Sequence, residues 1–302
     1  YTVFRVELFK GKSHFGENVT FDETLPTNYL ADEVIDDNKV NELLAKKYNE
    51  TIVIAEDDSE ILAYLKDELS TNFRVIAVNN GYDAVKAVMD DEVSLILSDV
   101  LMPALNGFQL CSNIKSNIAT CHIPIVLLTA LSDDNQRIYG IAEGADEYIH
   151  KPFNMQYVRL KIIRIIEERK RLASTFAQKF GRLTRHEAAN LPCVDDVFRD
   201  KLFNLIEAQH SDSNFKIELM SDMLGMSRIL LYRKITSIFG MSPSDLLRNY
   251  RLQKAVQLLT DQRRNVSEVA YIVGFSSPAY FAKCFKSVYN MTPTEYMYRT
   301  RE

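Results

Sequence analysis

In this chain, groups able to do chemistry stand at the ends of short apolar runs. Thr51 to Ala55 leads into Glu56-Asp57-Asp58, and Ser94 to Ser98 ends at Asp99 ahead of Val100-Leu101-Met102-Pro103. Pro124 to Leu128 ends at Thr129, and Glu147 to Ile149 is followed by Lys151-Pro152. Each group has a bland reading as well. Glu56-Asp57-Asp58 suits the start of a helix, where carboxylates are favourable. Asp99 could be a turn residue, Thr129 a cap, and Lys151 a surface residue. Four run-ends that each carry the required type of group outweigh those separate readings.

The elements that must position these groups follow from hydrophobic period. The four runs and Phe73 to Val78 have strand length, and stretches such as Ile61-Leu62-Leu65-Leu69 between them have helical spacing. Strand and helix alternating in this way predict a five-stranded, doubly wound parallel sheet. In such a sheet the strand ends converge on one edge, where side chains leave the core. Carboxylates gathered there repel one another unless a cation sits among them. Oxygen ligands of this kind suit Mg²⁺, which takes one or two carboxylates and keeps waters or phosphate oxygens. With one carboxylate free to attack phosphorus, and Lys and Thr to hold phosphoryl oxygens, the expected chemistry is an aspartyl phosphate.

Residues 50–172 resemble a response-regulator receiver domain. The matching pieces are Ile54-Ala55-Glu56-Asp57-Asp58, Ser98 to Pro103 with Asn106-Gly107, Leu128-Thr129-Ala130, and Gly144 to Phe153. The resemblance implies that Asp99 is the phosphoacceptor, with Glu56, Asp57, Asp99 and the Leu101 backbone carbonyl around Mg²⁺. Thr129 and Lys151 would bind the phosphoryl group, and Tyr148 would be the aromatic switch. His150 departs from the apolar residue usual there. The helix after Phe153 continues through Val158, Ile162, Ile165 and Ile166 into a basic tail. It could pass a signal onward or pair with a second copy.

Downstream the chain repeats itself at an offset of about 50 residues. Phe239-Gly240-Met241-Ser242-Pro243-Ser244-Asp245 returns as Tyr289-Asn290-Met291-Thr292-Pro293-Thr294-Glu295. Gly240 and Asn290 suit the left-handed end of a helix. Ser242 and Thr292 suit N-caps, Pro243 and Pro293 first helical positions, and Asp245 and Glu295 capping-box acids. Upstream of each copy an apolar helix meets a Gly-containing turn: Leu224-Gly225-Met226-Ser227, and Val273-Gly274-Phe275-Ser276. Each turn precedes a helix with apolar residues four apart, so two helix-turn-helix motifs are predicted, joined by a helix from Ser244 to Leu259. With Leu231 and Ile235 inward, Arg228, Ile229, Tyr232 and Arg233 face a major groove. In the second motif Pro278, Ala279 and Lys283 do so. Lys234, Arg251 and Lys286 are the candidates for phosphate contacts. This region resembles an AraC-type DNA-binding domain, which implies double-stranded promoter DNA as a partner.

Charge is divided accordingly. Residues 195–302 hold 15 Lys+Arg against 12 Asp+Glu, or +3, so with −5 overall the preceding residues carry −8. Cys111, Cys121, Cys193 and Cys284 are scattered without metal-ligand spacing, which argues against a zinc site. No apolar run reaches membrane-spanning length, so direct membrane contact is not expected.

The opening Tyr1 to Leu8 alternates like a half-buried strand, and with Phe9 to Phe15 it resembles the last strand of a histidine-kinase ATPase domain. The expected order is a kinase tail at 1–22, a linker at 23–49 (with a short helix near Val40 to Tyr48), a receiver at 50–172, a linker at 173–194 and the DNA-binding domain at 195–302. That order resembles hybrid two-component sensors of carbohydrate-utilisation genes. It implies a cytoplasmic piece of a longer inner-membrane protein, a histidine-kinase phosphodonor in the same chain, and a homodimer. Two other functions compete with a phosphorylation-gated transcription regulator. A Mg²⁺-dependent aspartyl-phosphate phosphohydrolase is disfavoured because Leu101 stands where a second acid is needed and no substrate cap is visible. An interaction module with an inert DNA-binding half would explain the poverty of the second recognition helix in base-reading groups.

Overall fold

The computed structural model describes residues 37–130, 144–180, 195–261 and 264–299. The expected kinase tail and most of the first linker lie outside these residues. Two compact units divide the chain at Asn41, and the second, Glu42–Glu302, carries the architecture below.

Helix α1 (Asp37–Ala45) ends ahead of a five-stranded parallel sheet. Strands β1 (Thr51–Ala55), β3 (Leu95–Asp99) and β4 (Ile125–Thr129) are buried at every position, as a parallel sheet covered on both faces requires. Strands β2 (Arg74–Val78) and β5 (Glu147–His150) are the edges, giving the order β2-β1-β3-β4-β5. Helices α2 (Ser59–Ser70), α3 (Gly81–Asp90) and α4 (Gly107–Ser116) provide the first three crossovers. Alternate strand residues feed separate cores: Ile52, Leu97 and Leu128 pack on one face, Val53, Ile96 and Leu127 on the other. The register pairs Ala55 with Ser98, Asp99 with Leu128 and Thr129 with His150, so the predicted functional groups share one edge. That edge includes the point between β1 and β3 where strand order reverses, the usual ligand crevice of this architecture.

The next helix, α5 (Met155–Phe180), runs for 26 residues, about 39 Å at 1.5 Å per residue. Val158, Ile162 and Ile166 close the core of the sheet, whereas Phe176 and Phe180 enter the core of the helical half. The junction expected at residues 172 and 173 therefore falls inside a continuous helix. The remainder of that expected linker, 181–194, lies outside the described residues.

The helical half comprises α6 (Asp196–Gln209), α7 (Ile217–Met223), α8 (Arg228–Phe239), α9 (Pro243–Thr260), α10 (Val266–Ile272), α11 (Pro278–Tyr289) and α12 (Pro293–Arg299). Both α7–α8 and α10–α11 are helix-turn-helix pairs, and α9 joins them. The repeat does what its residue types require. Gly240 and Asn290 end α8 and α11 at φ 66° and 57°. The Ser242 hydroxyl accepts from Asp245 N at 3.1 Å, and Thr292 and Glu295 exchange bonds at 3.2 and 2.7 Å. Gly240 has a second reason to be glycine, because a Cβ there would press on the Ala173 carbonyl of α5.

Candidate functional site: an acidic pocket and a docked helix

Glu56 follows β1 directly and is 1% exposed, whereas Asp57 is exposed. Asp58 plays a different part from both. Its carboxylate caps α2, accepting from Glu60 N at 2.8 Å and Ile61 N at 3.1 Å. The helix-start reading of the acidic triplet thus falls to Asp58. Asp99, 8% exposed, holds Oδ1 against Val100 N at 2.8 Å. Gly107, the first residue of α4, approaches so closely that a Cβ would collide with the Asp99 carbonyl. Carboxylate oxygens of Glu56, Asp57 and Asp99 lie within 4.8 Å of one another.

The Lys151 ammonium reaches into this cluster, 2.9 Å from Glu56 Oε2 and 3.0 Å from Asp99 Oδ2. It is placed by its backbone N, which donates to the Thr129 carbonyl at 2.7 Å. Burial raises the Glu56 carboxyl, opposed by the Lys151 hydrogen bond and reinforced by the Asp99 charge. Burial alone would lower the Lys151 ammonium, but hydrogen bonds to Glu56 and Asp99 outweigh it and hold the group above its ordinary value. Thr129 is buried at the end of β4, and Tyr148 is half-buried against the core on the α3–α4 side. Leu101 and His150 are exposed. One lysine among three carboxylates leaves negative charge in excess, and an all-oxygen donor set suits a hard divalent cation. The residues present therefore fit Mg²⁺.

The residues expected to face a groove divide. Arg228, Ile229 and Tyr232 project from α8 into solvent, Arg228 reaching Glu218 at 3.0 Å. Ala279, Lys283 and Lys286 are exposed on α11, with Pro278 half-buried. Arg233 instead donates to three carbonyls at the end of α3: Met89 at 3.2 Å, Asp90 at 2.8 Å and Asp91 at 2.9 Å. The negative pole of that helix suits a cation.

Two expected phosphate contacts need correction. Lys234 is 0% exposed and pairs with Asp195 at 2.6 Å, beside the Ile118 carbonyl and 3.2 Å from Cys121 Sγ. Arg251 donates to the carbonyls of His210 and Asp212 at 2.8 and 2.7 Å. Helical spacing carried the signal for both. Lys234 lies three residues after Leu231 and four before Ile238, and Arg251 four from both Leu247 and Ala255, on faces buried by those residues. Asp195, the partner of Lys234, was missed because nothing local distinguishes it from an ordinary cap, a role it also fills by accepting from Phe198 N at 2.9 Å.

Comparison with known proteins places these features in context. Residues 52–163 match the response regulator receiver domain family, and residues 220–299 match a helix-turn-helix domain family. The chain is 35% identical over 313 aligned positions to a protein of Formosa agariphila named histidine kinase P4, covering 100% of this chain and 22% of that one. It is 38% identical over 113 residues to the transcriptional regulatory protein GltR of Pseudomonas aeruginosa, covering 37% of this chain and 47% of GltR. The chain thus spans less than half the length of either relative. Among solved structures, the receiver domain of a signal transduction histidine kinase from Syntrophus aciditrophicus aligns at 34% identity and a TM-score of 0.39, covering 40% of this chain and 93% of that one.

Proposed function

Because the chain joins a response-regulator receiver domain to an AraC-type helix-turn-helix domain, we propose that it is the output end of a hybrid two-component sensor. In this reading it is a DNA-binding regulator gated by phosphorylation of Asp99. The observation that carries the proposal is the Lys151 ammonium set between two buried carboxylates, beside a third, at the edge where strand order reverses.

A carboxylate oxygen of Asp99 attacks phosphorus, forming an O–P bond as the N–P bond of a phosphohistidine breaks. The histidine belongs to a kinase domain of the same longer chain. Glu56, Asp57, Asp99 and the Leu101 carbonyl would hold Mg²⁺, which supplies charge neutralisation for the incoming phosphoryl group. Lys151 already bridges Glu56 and Asp99, so it can turn to a phosphoryl oxygen with little movement, and the Thr129 hydroxyl takes another. Tyr148 follows Thr129 inward. On the DNA side, Arg228, Ile229, Tyr232 and Arg233 read one major groove, and Pro278, Ala279 and Lys283 a second, with Lys286 on a phosphate. Gating consists of freeing Arg233 from the α3 carbonyls, followed by homodimerisation on a promoter. Carbohydrate-utilisation genes are the proposed targets, on the resemblance of domain order. Among the described residues no helix is long and apolar enough to cross a membrane. A cytoplasmic position beneath an inner-membrane parent accords with this reading.

The test is labelling with radioactive acetyl phosphate and Mg²⁺. The chain takes up acid-stable, hydroxylamine-labile label, and Asp99→Asn removes it. Label that persists in the variant overturns the assignment.

A further inference from the structure

At the opposite end of the sheet from Asp99, the start of strands β1, β3 and β4 meets α5 and α8 around a cavity of about 350 Å³. Its walls come from both halves of the molecule. The receiver contributes Glu50, Ser94 and His122, and the first helix-turn-helix motif contributes Leu230, Arg233 and Thr236. Three of the wall residues have a buried polar atom without a hydrogen-bond partner: Glu50 Oε2, His122 Nδ1 and Thr236 Oγ1. His122 is 7% exposed, so the cost of leaving its ring nitrogen unsatisfied is not relieved by bulk water. Buried polar atoms are paired in the great majority of native structures, and three orphans around one cavity mark a place shaped for a polar occupant. The volume falls at the lower end of the roughly 300–1,000 Å³ typical of small-molecule sites.

Chemistry narrows the occupant. The lining cations Arg169, Lys170 and Arg233 are matched by the carboxylates of Glu50, Asp91 and Glu92, so no net charge calls for an ion. Each cation is also engaged already: Arg169 by Asp146 at 2.8 Å, Lys170 by Glu50, and Arg233 by the α3 carbonyls. Among the described lining residues there is no Phe, Tyr or Trp to stack a base or aromatic ring. What remains for the occupant is one carboxylate oxygen that needs a donor, a hydroxyl that takes either role, and a neutral imidazole nitrogen. Burial, then the charges of Lys234 and Arg169, lower the His122 pKa to about 3, so the ring is uncharged at neutral pH. Ile166, Ala173 and Leu230 supply an apolar wall. Hydroxyl groups around a compact hydrocarbon frame satisfy all of this.

We propose that this cavity is a binding site for a small neutral polyol, which joins the receiver to the first helix-turn-helix motif. The ligand touches Thr236, three residues from Arg233, so its binding favours the docked arrangement. The binding assay needs neither a phosphoryl group on Asp99 nor DNA, so its test and that of Asp99 fail separately.

The experiment titrates myo-inositol into the 302-residue chain by isothermal calorimetry, with amide hydrogen exchange on the same samples. The expected result is one-to-one saturable binding with Kd at or below ~1 mM. Thr236→Val and Glu50→Gln, each removing one partner without a large change of shape, weaken it by roughly three- to ten-fold. Hydrogen exchange slows in residues 119–124 and 230–240 of the unmodified chain, a readout that does not depend on how the variants fold. Absence of saturable heat, equal affinity in folded variants, or protection elsewhere overturns the proposal.

Discussion

At the scale of single residues, charge balance governs the pocket. Lys151, with its side chain 20% exposed, is the partner of two carboxylates whose own side chains are 1% and 11% exposed. Removing one member of a buried ionic group leaves uncompensated charge, which costs several kcal/mol. Lys151→Met should therefore destabilise the protein by roughly 2–4 kcal/mol in urea without divalent cation. Added Mg²⁺ should restore more stability to the variant than to the parent, since it replaces the missing charge. An equal Mg²⁺ response in both proteins would show that Lys151 and the cation do not share those carboxylates. His122 makes a second residue-scale prediction, with the opposite kind of group. Its folded pKa of about 3 lies below the ~6.5 of an unfolded histidine. Above pH ~6.5 the ring is neutral in both states; below it, the unfolded chain binds a proton that the folded chain refuses. Stability is thus present above ~6.5 and lost toward pH 3, at up to ~1.4 kcal/mol per pH unit. Urea midpoints at pH 7.5 and 5.5 should differ less in His122→Asn than in the parent.

At the scale of elements, the sheet edge was legible and the docking was not. Each strand end announces itself by an apolar run closing on a polar group, and parallel order then brings Glu56, Asp99, Thr129 and Lys151 together without further information. The repeat was equally legible because caps are local: Ser242 and Asp245 meet within one turn of chain, as do Thr292 and Glu295. Lys234 failed because its environment is assembled from far away in sequence, with Asp195 39 positions and Ile118 116 positions distant. A lysine on an amphipathic helix is ordinarily exposed, and only the Leu231-Lys234-Ile238 spacing argued otherwise. The pair itself is testable. Asp195→Asn strands a fully buried ammonium and should cost roughly 3–5 kcal/mol, whereas Lys234→Met combined with Asp195→Leu should recover much of that loss. Thermal unfolding of the two variants checks the order. If the double variant is the less stable, the hydrogen bonds that Asp195 accepts from Cys121 and from Phe198 N outweigh the cost of burying the pair.

At the scale of the whole molecule, the acidic pocket and the docked helix stand at opposite ends of the same strands. Five residues of β3 separate them, about 17 Å at the rise of a parallel strand. Among the described residues, helix α5 is the one element whose two halves enter both the core behind the sheet and the core of the helical half. Among the described residues, the contacts that can carry a charge at Asp99 to α8 run through α5, α3 and the loop at Ile118–Cys121. If Arg233 reads DNA as proposed, the two engagements compete, since a guanidinium on a base edge cannot at the same time satisfy the carbonyls of Met89, Asp90 and Asp91. Binding is reciprocal: whatever free energy docking withholds from DNA, DNA must withdraw from docking. Hydrogen exchange with a promoter fragment bound should accordingly speed at 118–123, where the loop covers Lys234, and slow in α8. The core strands β1 and β3 should keep their protection, because only the junction opens. Unchanged exchange at 118–123 in a saturated complex would mean that DNA is read by Arg228, Ile229 and Tyr232 alone, with Arg233 still on α3. Arg233→Ala would then leave promoter affinity untouched, whereas under competition it removes both a DNA contact and the bonds that hold the docked state.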